Sequence, residues 1–149
     1  MPSKLIIGYG NPLRSDDGIG WRIAGELARQ LPNSEFEVVQ CHQLMPELAE
    51  KIRQAELVIF VDAVDGERPG HWVCQEIVPE ITKGTFSHSA SPAGLLALAR
   101  ELYGSSPRAC LFTVCGESFH HGDRLSQLVE SRLAGLMSEI RDRAMRAGN

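Results

Sequence analysis

Apolar residues along the chain fall into two alternating patterns, short solid runs and stripes at helical spacing. Lys4 to Tyr9 is the first solid run, too apolar for a half-exposed sheet and suited to a central parallel strand. Beyond a Gly-Asn-Pro break, Ile19, Ile23, Leu27 and Leu31 recur at helical spacing, and Gly20, Ala24 and Ala28 form a second stripe of small residues. Ser15 or Asp16 is the predicted N-cap of that helix, and Pro32 stops it. Glu35 to Cys41 reads as a second strand, followed by His42 and Gln43. Pro46 then opens a short helix from Glu47 to about Arg53, with Leu48, Ala49 and Ile52 inward. Leu57 to Val61 is the third strand, ending in Asp62-Ala63-Val64-Asp65-Gly66. Strand, helix, strand, helix, strand implies right-handed crossovers and a parallel α/β sheet.

The alternation then breaks. About ten residues separate Val61 from the next run, Trp72 to Val78, and they include Gly66, Pro69 and Gly70. A parallel return needs a crossover of about a dozen residues or more, so this strand is predicted to be antiparallel. Glu80 to Ser89 has turn character. Ser91 and Pro92 then open a helix with Leu95, Leu96, Leu98, Ala99 and Leu102 inward and Gly104 as terminator. Ala109 to Val114 is the last strand and Glu117 to Gly122 a loop. Asp123 is the predicted cap of a final helix striped by Leu125, Leu128, Val129, Leu133, Leu136, Met137 and Ile140. With no repeat, low-complexity tract or linker, residues 1–149 read as one domain.

Charge and composition narrow the function classes. A formal net charge of -4 gives no basic footprint for nucleic acid. No apolar run approaches the roughly 20 residues of a membrane span, and the N-terminus lacks a signal-peptide profile. Cys41, Cys74, Cys110 and Cys115 form no Cys-x-x-Cys pair, which suits reduced, mostly buried thiols and a cytoplasmic location.

In an open α/β sheet, ligands bind beyond the carboxyl ends of the parallel strands. Asn11, Asp16 and Asp17 belong there, as do His42, Asp62, Asp65, Glu117, His120 and His121, and the return loop bearing His88 can reach the same rim. Carboxylates and imidazoles on one edge are metal chemistry. Gly8-Tyr9-Gly10 is no dinucleotide fingerprint. Leu13 replaces the third glycine, no acid ends the second strand, and Asp16 and Asp17 would repel a pyrophosphate. One aspartate of that pair is explained as a cap and dipole partner; the second is left for function, and spacing does not choose between them. Asp65-Gly66 supplies a turn signal, which assigns Asp65 to structure and leaves Asp62 as the functional acid. His71, at the start of the antiparallel strand, reads as an edge residue. His42, His88, His120 and His121 remain in competition for the rim. The His-Glu-x-x-His helix and the Gly-x-Ser-x-Gly elbow are both absent, and dispersed cysteines do not support thiol catalysis.

Gly8-x-Gly10-Asn11-x-x-x-x-Asp16-Asp17-Gly18-x-Gly20 resembles the N-terminal signature of the hydrogenase maturation proteases. These endopeptidases trim the C-terminal extension from the large subunit of nickel-iron hydrogenases. The resemblance continues at Val61-Asp62-Ala63, at Ser87-His88-Ser89 before Pro92-Ala93-Gly94-Leu95-Leu96-Ala97-Leu98, at Gly116-Glu117 and at Arg124-Leu125-Ser126. It implies a three-layer α/β/α sandwich around a five-stranded mixed, mostly parallel sheet with one antiparallel strand. It also implies that Asp17, Asp62 and His88 are the metal-facing and catalytic residues, leaving Asp16 as the cap or as support behind Asp17. The His120-His121 pair is no part of the family pattern. The implied partner is a hydrogenase large-subunit precursor, and the implied nickel is delivered by that substrate. Two other classes compete: a divalent-metal amidohydrolase or aminopeptidase of similar topology, and a non-catalytic nickel-dependent binding module.

Overall fold

The computed structural model describes residues 3–81 and 91–146. Its sheet has five strands: β1 (Lys4–Tyr9), β2 (Phe36–Cys41), β3 (Leu57–Asp65), β4 (Trp72–Glu76) and β5 (Arg108–Gly116), in the spatial order β2-β1-β3-β5-β4. β1, β2, β3 and β5 run parallel, and β4 pairs antiparallel with β5 through Trp72 opposite Val114 and Glu76 opposite Cys110. The expected mixed sheet and its antiparallel strand are both present.

Four α-helices cover the sheet: α1 (Ile19–Gln30), α2 (Leu48–Ile52), α3 (Pro92–Tyr103) and α4 (Gln127–Arg146). The period-two alternation of each central strand divides the core. Ile6, Ile59, Val61 and Phe112 pack with Ile23 and Leu27 of α1 and with Val129, Leu136 and Ile140 of α4. Leu5, Ile7, Val58 and Phe60 pack on the other face with Ala49 and Ile52 of α2 and with Leu95, Leu96 and Ala99 of α3. The result is the α/β/α sandwich. The solid apolar runs of β1 and β3 are explained by burial on both faces.

Local signals behave unevenly. Ser91 caps α3, its side chain accepting from the Gly94 amide at 3.0 Å, and Gly104 ends the helix in the left-handed region at φ 69°. Leu102, expected inward, is exposed, and beside it in the last turn of α3 the Tyr103 ring lies under the Arg53 guanidinium, 4.6 Å from the ring centroid. Ala28 is likewise exposed, so only Gly20 and Ala24 of the small-residue stripe meet the sheet. Neither Ser15 nor Asp16 caps α1. A 3-10 turn over Ser15–Gly18 precedes that helix, and no side chain caps either. Asp123 does not cap α4; Ser126 does, its Oγ accepting from the Val129 amide at 3.3 Å.

Strand ends also depart from expectation, β5 running Arg108–Gly116 rather than Ala109 to Val114. β4 stops at Glu76, opposite Cys110, rather than at Val78, and one further bond, from the Ile77 amide to the Ala109 carbonyl at 3.0 Å, follows its end. β3 continues past Val61 to Asp65 because β5 keeps pairing with it, Asp62 opposite Thr113 through Asp65 opposite Gly116. Its other neighbour, β1, stops at Gly8 opposite Val61. Asp62 is therefore the first residue of β3 with no β1 partner, rather than the end of the strand.

Candidate metal-facing carboxylate site

The chain leaves β1 through α1 on one face and returns from β2 through α2 on the other, so β1 and β3 flank the topological switch of the sheet. That crevice is where open α/β sheets bind ligands. Close approach of α1 closes it at the back. A Cβ at Gly8 would overlap the Gly20 carbonyl and the Ala24 side chain, and a Cβ at Gly20 would overlap the carbonyls of Val61 and Tyr9. Only glycines at both positions let the start of α1 rest on the ends of β1 and β3.

Asp17 lies in the turn that leads into this helix and is half-buried. Its Oδ2 accepts from the Asn11 amide at 2.9 Å, which leaves Oδ1 without a hydrogen-bond donor among the described residues. Asp62, also half-buried, approaches from β3, and its Oδ1 accepts from the Ala63 amide at 2.8 Å. Burial pushes the Asp62 carboxyl up to about 6, and the nearby Asp17 charge adds to the rise. The Ala63 amide and the Tyr9 phenol oppose it. Burial and the Asp62 carboxylate raise the Tyr9 phenol in turn, far above its ordinary range. No described salt bridge reaches Asp17 or Asp62. The Asp17 charge thus raises the cost of ionising Asp62, with no described basic partner beside either carboxyl, and a cation placed there would relieve that cost.

The other candidates are dispersed. His42 is exposed and its ring meets Trp21 of α1 edge-on at 4.9 Å, so it is engaged on the α1 face of the sheet. Asp62 shares its strand face with Val58 and Phe60, which pack on α2 and α3. His120 and His121 are exposed, and the described contact at His120 is through its carbonyl, which accepts from Ser15 Oγ at 2.8 Å. Glu117 and Asp65 are exposed, as is His71 beside the edge strand. His88 falls within residues 82–90, outside the described residues. Among the described residues no group of three His, Cys, Asp or Glu side chains is placed to hold a metal ion, so Asp17 and Asp62 supply two oxygen-donor groups and nothing described supplies a third. All four cysteines are free; Cys110 and Cys115 are buried and Cys41 and Cys74 half-buried.

The residue whose place was hardest to foresee is Asp16. Its side chain is fully buried, and it reaches away from α1 to the loop that follows β5. Its Oδ2 accepts from the amides of Glu117 at 2.8 Å and Ser118 at 3.0 Å, and its Oδ1 from the amide of Ser126 at 2.7 Å. Sequence gave the acid but not its partners, which lie about a hundred positions downstream.

No family model matches the sequence, and no curated protein matches it. Solved structures do. The NiFe hydrogenase maturation protease HycI of Thermococcus kodakarensis KOD1 is 23% identical with a TM-score of 0.75, over 98% of this chain and 92% of that one. The hydrogenase maturating endopeptidase HybD of E. coli is 23% identical with a TM-score of 0.74, over 99% of this chain and 94% of that one. A hydrogenase 2 maturation peptidase from Thaumarchaeota archaeon SCGC_AB-539-E09 is 23% identical with a TM-score of 0.68, over 94% and 96%. At these identities the likeness is one of fold, and it extends over nearly the full length of each chain.

Proposed function

We propose that the protein is an endopeptidase that removes the C-terminal extension of a nickel-loaded nickel-iron hydrogenase large-subunit precursor. What supports this reading is a fold shared along its length with maturation proteases, in which the Asp17 charge lies near enough to Asp62 to raise its carboxyl and no described salt bridge reaches either. The Gly8 to Gly20 signature adds support from the sequence. In this reading the nickel belongs to the substrate, and Asp17, Asp62 and His88 recognise it when the precursor docks. Two carboxylates and an imidazole hold a free divalent ion modestly, which suits a protease that waits for a metal already seated in its substrate.

Incubation with the precursor in nickel-loaded and nickel-free forms, followed by intact-mass measurement, tests the reading. Loss of the C-terminal peptide from the loaded form alone is the expected result. Binding of the loaded form with no shortening would identify a binding module instead, and turnover of small amides with added divalent metal would identify a general amidohydrolase.

A further inference from the structure

A fully buried carboxylate is costly unless hydrogen bonds or a cation compensate it. No described salt bridge reaches Asp16. Its compensation is three backbone N–H groups, all from residues 117–126, and such bonds to an ionised acceptor are among the stronger ones in proteins. Further bonds join the same two segments. The Asp16 amide donates to the Ser118 carbonyl at 2.9 Å, the Ser15 amide to the Gly122 carbonyl at 2.9 Å, and the Gly122 amide to the Leu13 carbonyl at 2.9 Å. Ser15 Oγ reaches the His120 carbonyl, and Ser15 itself sits at φ 51°, a backbone conformation that a serine holds only when its surroundings impose it. Gly116 completes the fit, since a Cβ there would strike the Asp16 Cβ and the Phe119 ring, at 2.8 and 2.7 Å.

We propose that Asp16 is a positioning residue: its carboxylate binds the Ser15–Gly18 turn and the 117–126 loop into one rigid block, and this block fixes Asp17 against Asp62. The inference rests on the reading of Asp17 and Asp62 as the nickel-facing pair. A cap role is excluded, because neither the turn nor α1 receives a side-chain cap bond. Rigidity of this kind matters to catalysis because a displacement of about 1 Å at a reacting group can cost as much as 100-fold in rate.

The test is Asp16→Asn in the full chain, an isosteric change that turns one acceptor oxygen into a donor facing backbone N–H groups. Amide exchange is read at Glu117, Ser118 and Ser126, and at Asn11, whose N–H donates to Asp17 and so reports the placement of Asp17 without any catalysis. Exchange about tenfold faster or more is expected at the loop amides and at Asn11, with Ile6 and Ile59 of the core unchanged. On the nickel-loaded precursor kcat should fall about tenfold or more, with KM within about threefold. Unchanged exchange at Asn11, unchanged kcat, or a loss confined to KM would each overturn the inference. Wild-type protein that fails to cleave sinks the protease reading, whereas the Asn11 exchange still decides whether Asp16 positions Asp17. Should Asp16→Asn not fold, Ser118→Pro removes a single donor to the carboxylate, and the same outcomes apply to exchange at Glu117, Ser126 and Asn11 and to the kinetics.

Discussion

Asp62 carries an electrostatic load that makes its role measurable without substrate. Its carboxyl is raised from the ordinary 3.8 to about 6 in the fold, so the native state binds that proton more tightly than the unfolded chain does. The resulting penalty is absent below about pH 4, grows as pH rises through 6, and is fully present at pH 7. Asp62→Asn should therefore stabilise the metal-free protein at pH 7 by about 1–3 kcal/mol, with the gain disappearing below about pH 4. Urea unfolding at the two pH values checks this; equal effects at both would show that Asp62 is not strained by ionisation. Asp62 stood out in the sequence as an acid closing an apolar run, although the fold places it within β3, and Asp17 stood out only as one of an adjacent pair. The division of labour between Asp16 and Asp17 was not legible from spacing. It depends on the N–H groups of Glu117, Ser118 and Ser126, which only the fold brings to Asp16. The contact of His42 with Trp21 is likewise one that strand periodicity does not reveal.

Among the elements, the solid apolar runs and helical stripes located all five strands and four helices, since burial on one or both faces dictates composition directly. The ends were less legible. β3 extends to Asp65 only because β5 continues to pair with it, and α1 starts from an uncapped 3-10 turn because its neighbouring acids are used elsewhere. The approach of α1 to β1 is the tightest constraint among these elements and yields a second prediction. Gly8→Ala would push a methyl group into the Gly20 carbonyl and the Ala24 side chain, so the helix must lift from the strand. A loss of about 3 kcal/mol in chemical denaturation is expected, an overpacking cost at the upper end of the usual range. A loss under about 0.5 kcal/mol, the size of an ordinary surface change, would show that α1 does not rest on β1 as described.

Across the whole molecule, the fold gathers the candidate carboxylates at one edge. The face-covering helices bury both sides of the sheet, and the switch between β1 and β3 leaves Asp17 and Asp62 at the carboxyl rim. No described helix is long and apolar enough to cross a membrane. The same architecture extends over nearly the full length of HycI and HybD. The most direct measurement is the intact mass of a nickel-loaded hydrogenase large-subunit precursor after incubation with wild-type protein, Asp17→Ala and Asp62→Ala in parallel. Wild type should remove the C-terminal peptide at a single site, and each variant should leave the precursor at full length while retaining the native circular dichroism spectrum. A precursor left intact by the wild type, or trimmed equally by either folded variant, would contradict the account.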